Sequence, residues 1–133
     1  YPFMGSITLI IASVISGLIL FQSFLVAPAV NKLLERKGAS IFLRYIWPKF
    51  FLLISLLSLT SLLFELYINS STIIIVFSFI VFILMLVCFI ITPSINKAKD
   101  NSKKQLWTIL HLGTVLITLI VLILNIFKIY LKL

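Results

Sequence analysis

Acid is scarce in this chain. Three carboxylates, Glu35, Glu65 and Asp100, stand against eleven Lys and Arg residues, for a formal charge of +8 over 133 residues. So few acids offer no paired carboxylates for acid–base catalysis. The single cysteine, Cys88, rules out an intrachain disulfide and a Cys-x-x-Cys centre. Four glycines, none of them clustered, form no phosphate-cradling loop. No nucleophile–base pair stands out, and the connections are too short for a soluble catalytic domain. These gaps argue against an enzyme.

Charge of either sign is missing from four long stretches: Met4 to Ala27, Phe50 to Phe64, Ile73 to Ile91 and Leu112 to Phe127. With 62% hydrophobic residues and a mean hydropathy of +1.29, the chain is not a soluble globular domain. A hydrocarbon core about 30 Å thick takes about 20 helical residues, which each stretch reaches with its flanks. The expected fold is an all-α integral membrane protein of four helices, at 4–27, 46–68, 72–92 and 106–130. The first is read as a true span rather than a cleaved leader. It is too long, no basic segment precedes it, and the residues around Pro28 recur inside the chain at Pro93.

Nine of the eleven basic residues fall at the first and third connections: Lys32, Arg36, Lys37, Arg44, Lys49, Lys97, Lys99, Lys103 and Lys104. The positive-inside rule places loops 28–45 and 93–105 in the cytoplasm, and both termini and the 69–71 turn outside. The localisation expected is a cytoplasmic (inner) membrane. Tyr45, Trp47 and Trp107 then mark the inner interface, with Tyr1, Tyr67 and Tyr130 at the outer one. Charge arranged this way calls for a lipid bilayer as partner, not nucleic acid.

Two segments share their punctuation. Phe24-Leu-Val-Ala-Pro-Ala-Val-Asn-Lys32 is echoed sixty-five residues later by Phe89-Ile-Ile-Thr-Pro-Ser-Ile-Asn-Lys97. Five extra residues in the first loop bring Trp47 opposite Trp107, and Glu65 opposite Asn125. Two parallel helical hairpins, 1–68 and 72–133, account for this, with their axis along the membrane normal. Chance matching in a chain rich in Ile, Leu, Phe, Asn and Lys is the competing explanation. Pro28 and Pro93 are expected to begin short interfacial segments, the first ending at Gly38, with Asn31 and Asn96 bonding backbone freed at the breaks. Pro48 either begins the second helix or kinks one that starts near Ser40. A serine of Asn69-Ser70-Ser71 is expected to cap the third helix, and Ser102 with Gln105 to form a capping box on the fourth.

Small residues suggest where helices meet: Ser13 and Gly17 on the first, Ser55, Ser58 and Ser61 on the second, Gly113, Thr114 and Thr118 on the fourth. The third, bulky from Ile73 to Val87 apart from Ser78, is expected to turn much of its surface to lipid or another protein. Helices one, two and four would then pack together.

Phe24-x-x-x-Pro28 followed by Trp47-Pro48-Lys49-Phe50-Phe51 resembles the transmembrane protein 205-like family, found in bacteria and eukaryotes. Ile91-Thr92-Pro93, Asn96, Asp100 and Leu110-His111 are similar to its second block. Trp107 in place of Phe, and a Lys-rich segment in place of a shorter acidic loop, depart from the pattern. The resemblance implies a four-helix membrane domain without an agreed activity.

Among candidate sites, His111 is the only histidine, about one turn inside Trp107. With Cys88 and Met85 it makes a ligand set soft enough for copper, and alone it suits haem iron. The competing role is a hydrogen bond across the bundle to Asn31, Asn96 or a serine, with no cofactor. Glu65, the one acid in a span, reads either as a relay or counter-charge, or as a structural partner of Lys128. Gln22 is read as interhelical glue, and Lys49 as snorkelling to the surface. Three functions follow. The first is an accessory or structural subunit packed against other integral membrane subunits; the second, a haem- or copper-handling protein; the third, a small oligomeric transporter with Glu65 and Gln22 lining a path between protomers.

Overall fold

The computed structural model describes residues 2–133; Tyr1, assigned above to the outer interface, lies outside them. The described residues are helical, in the order α1 (Pro2–Phe21), a π-helical segment (Gln22–Val26), α2 (Ala27–Leu33), α3 (Arg36–Tyr67), α4 (Thr72–Asp100) and α5 (Lys104–Lys132). Four spans result, Phe3–Leu33, Arg36–Tyr67, Thr72–Asp100 and Lys104–Lys132, each long and apolar enough to cross a membrane. This is a four-helix, multi-pass membrane protein. One end of the bundle carries the breaks at 34–35 and 101–103 together with most of the basic residues, and is called the basic end below. The start of α1, the end of α5 and the 68–71 turn lie at the other, the terminal end.

The helices outrun the boundaries expected from proline. Pro48 lies inside α3 and Pro93 inside α4, and both helices continue past them. A proline in a helix forfeits one backbone bond, which neighbouring helices make tolerable in a membrane span. At 32 residues, α3 is about 48 Å long at about 1.5 Å per residue, well beyond a hydrocarbon core of about 30 Å. Gly38 does not end the first connection. The chain turns at Leu34 and Glu35, both with extended ψ, and Gly38 is already in α3. Pro28 does occupy the first turn of α2, but the backbone runs into it through the π segment, where the Ala27 N–H donates to the Gln22 carbonyl. That wider turn accommodates the missing proline donor.

The serine caps are absent as well. Ser71 stands at the N-cap of α4 without a side-chain bond, and the N–H groups of Ile74 and Ile75 donate to its carbonyl. Ser102 adopts φ 56° and donates its N–H to the Lys99 carbonyl, so it closes α4 instead of opening α5.

Packing runs in a ring: α1 against α3 and α5, and α4 against α3 and α5. Among the described residues the backbones of α3 and α5 stand on a diagonal, linked near the terminal end by side chains alone, so the expected trio of first, second and fourth helices is replaced by a square. The third spanning helix, α4, is a full member of it. Ile74, Ser78, Val81, Met85, Cys88 and Thr92 recur at helical spacing and form its buried stripe. Small residues misled on α1, where Ser13 and Gly17 face outward and Thr8, Ile11, Ala12, Ile15, Ser16 and Ile19 face in. They were informative on α3 and α5: Ser55, Ser58, Ser61, Thr114 and Thr118 are all buried. Ile15, Ile19, Phe50, Phe51, Ile54, Val81, Met85, Cys88 and Val121 form the central core.

Candidate functional site

Two polar centres break this apolar core, one toward each end. At the terminal end, Lys128 of α5 reaches Glu65 of α3, with Nζ 2.8 Å from Oε1. The side chain of Glu65 is wholly shielded and that of Lys128 is 3% exposed. Two serines complete the cluster. Ser61 donates to Glu65 Oε1 at 3.2 Å and accepts from Lys128 Nζ at 3.3 Å. Ser78 of α4 donates to Glu65 Oε2 and accepts from Lys128 Nζ at 2.5 Å. Every polar atom of the pair thus has a partner drawn from three helices, the condition under which a buried ion pair is tolerable. Glu65 is sequestered from headgroups, although it stands near the end of α3.

Asn125, opposite Glu65 in the sequence repeat, is also fully buried and donates to the Val121 carbonyl at 2.9 Å. Among the described residues three buried polar side-chain atoms have no partner: Gln22 Nε2, Ser55 Oγ and Ser58 Oγ. Gln22, expected to bridge helices, is buried but its amide nitrogen bonds nothing. Glu65 and Gln22 are both buried within the bundle.

The second centre is a cleft of about 470 Å³ at the basic end, opening from the middle of the bundle. Its apolar floor is Ile19, Phe51 and Leu122; its flanks are Phe24 and Ala27 on one side and Val115 and Leu119 on the other. Among the described residues α2 packs against α3 and not against α5, which leaves the gap between those flanks. Around the mouth stand Asn31, Ser40, Arg44, Asn96, Lys99 and His111. A second hollow of about 340 Å³ adjoins, sharing Asn31, Ser40 and Lys99 and adding Arg36.

Aromatic and ionic contacts shape the mouth. Trp107 and His111 stack with ring centroids 4.9 Å apart at 5°, and Lys99 lies over the Trp107 ring at 5.6 Å. Trp47 stacks on Phe51 at 5.5 Å. Arg44 grips Asp100 through two nitrogens, at 3.1 and 2.5 Å, tying α3 to the end of α4. Both members of that pair keep contact with water. Lys49 is exposed over the Tyr45 ring, at 3.8 Å from its centroid.

The residues singled out from sequence separate into these centres. Asn31, Asn96, Trp47 and Trp107, matched in pairs by the repeat, all line the one cleft. Asn31 bonds the backbone of its own helix, its Nδ2 donating to the Ala27 carbonyl at 3.0 Å. Pro28 and Pro93 are exposed beside the cleft end of their helices. His111 faces the cleft, whereas Cys88 and Met85 are fully buried in the apolar core with Phe50 and Phe51. Among the described residues no three His, Cys, Asp or Glu side chains gather as metal ligands. Sequence reasoning missed Ser78 as a partner of the ion pair, the Arg44–Asp100 pair and Lys99 at the mouth. Ser78 carried a signal, as the lone polar residue in a bulky stretch.

No curated protein and no solved structure matches the chain. A family model does match residues 10–104, most of its length, and the chain belongs to that family, described as Domain of unknown function (DUF4149).

Proposed function

We propose that this protein is an accessory component of a membrane that acts by binding rather than catalysis, and that the cleft at the basic end is its working site. One observation carries this. The buried ionic groups at the terminal end satisfy one another, while the cleft combines an apolar floor with a polar mouth and a gap in its wall. A concave apolar site with a few convergent polar groups is the usual form of a ligand pocket, and about 300–1,000 Å³ is its usual size. The excess of basic residues supports placing the cleft at the cytoplasmic face of a cytoplasmic membrane, termini opposite. The likeness of Phe24-x-x-x-Pro28 and Trp47 to Phe51 to the transmembrane protein 205-like family agrees with a role that involves no known chemistry.

Native mass spectrometry after gentle solubilisation from source membranes tests the reading, with copper and haem assayed on the same sample. The expected result is the chain, alone or with partner subunits, retaining a small guest that Leu119→Trp displaces. Copper or haem bound in stoichiometric amount would overturn it and direct attention to His111.

A further inference from the structure

We propose that the cleft takes one acyl chain of an acidic phospholipid sideways from the bilayer, its phosphate resting against the basic rim; this rests on the cleft being the binding site. The route in is visible in the exposure of the walls. Phe24, Val115 and Leu119 line the cleft yet remain 67%, 51% and 49% exposed, so its side opens on the flank that faces lipid. Its floor, by contrast, is sealed: Ile19, Phe51 and Leu122 are buried. A chain entering between α2 and α5 would leave an apolar leaflet for an apolar slot without crossing a polar surface.

The two ends of the site differ in the way an amphiphile does. Lys99 and Arg44 stand at the mouth of the cleft, and Arg36 and Lys99 line the adjoining hollow. Asn31, Ser40 and Asn96 add uncharged hydrogen-bonding groups there. Of the two carboxylates at this end, Asp100 is already held by Arg44, and Glu35 adjoins Arg36 in the chain. Nine basic side chains against Glu35 and Asp100 make this end strongly positive. A free anion would gain nothing from the slot, and a neutral lipid nothing from the rim. Only a ligand with both parts uses both. Arg and Lys near a membrane surface each favour anionic lipid by about fivefold.

The tryptophans provide the assay, since Trp47 and Trp107 both line the cleft. The full chain is reconstituted in phosphatidylcholine vesicles containing a small fraction of lipid brominated on its acyl chains. The brominated lipid carries either a phosphatidylglycerol or a phosphatidylcholine head, and tryptophan quenching is read. The expected result is an apparent affinity at least tenfold higher for the brominated phosphatidylglycerol. Arg36→Gln with Lys99→Gln, both exposed positions, should make the two heads equivalent; Ser23 also lines the cleft, so Ser23→Phe, which narrows the slot, should abolish the excess quenching. Equal quenching by both heads in the unaltered chain, sensitive to Ser23→Phe, would overturn the acidic-lipid assignment and leave the binding cleft standing. Quenching that is equal for both heads and indifferent to Ser23→Phe would overturn both. A preference that survives the Arg36/Lys99 change would overturn the assignment of the rim. The comparison of heads in the unaltered chain decides the matter even if Ser23→Phe fails to fold.

Discussion

Replacing Lys128 with Met removes one member of an ion pair that neither side chain can solvate. At 2.8 Å and an effective dielectric of about 20, the gross attraction within the pair is about 6 kcal/mol. Much of it offsets the cost of burying both charges. The two relevant precedents differ sharply. Exposed pairs contribute about 0–1 kcal/mol, whereas breaking a buried pair costs about 3–5. Complete shielding of Glu65 and a 3% exposed Lys128 side chain put this pair in the second class. Ser61 and Ser78 would also lose the cation that they accept from. Lys128→Met is therefore expected to cost about 3–5 kcal/mol, and Glu65→Met about the same. The double variant is expected to lie near the unaltered protein, because an apolar pair of similar volume restores the balance. Unfolding in mixed micelles by added dodecyl sulfate, followed by tryptophan fluorescence, measures all four proteins. The resulting cycle should give a coupling energy close to the sum of the two single losses, about 6–10 kcal/mol. Single variants that each lose less than about 1 kcal/mol would refute the reasoning, by showing that water reaches the pair.

Three other outcomes follow from particular side chains. Ser58→Ala removes a buried hydroxyl that bonds nothing and should raise stability by about 1 kcal/mol in the same titration. Gly17 faces outward, and a Cβ there meets nothing within 4 Å, so Gly17→Leu should leave the bundle's helicity and unfolding midpoint unchanged. A loss of co-purifying subunits on that change would locate a partner on this face of α1. His111→Ala should keep the fold but alter Trp107 emission, because the two rings stack at 4.9 Å; His111→Phe, which preserves a stack, should largely restore it.

How far the sequence was legible depends on the range over which each feature is decided. Four spans could be read because transfer into hydrocarbon is a sum over local side chains. Their ends could not, since proline marks a local penalty that neighbouring helices can absorb, as at Pro48 and Pro93. The Glu65–Lys128 pair was readable as one alternative because few other charges lie near that end. Ser61 stands one turn before Glu65 on α3, but Ser78 joins the pair only when α4 packs against α3. Small residues proved an ambiguous guide. Lipid and helix surfaces are equally apolar, so nothing in Ser13 or Gly17 says which of the two it faces.

By itself the sequence determined that this chain lives in a bilayer, that it crosses four times, and that its basic residues gather at one end. Those properties are additive over residues within a single helix. Only the tertiary structure decided that α4 is a core helix and that Cys88 and Met85 are buried in the core while His111 faces a cleft. It alone joined Asn31, Asn96 and the two tryptophans around one opening. Each of these turns on which helical faces meet, and in a chain apolar on nearly every face that choice is made by packing rather than by hydropathy.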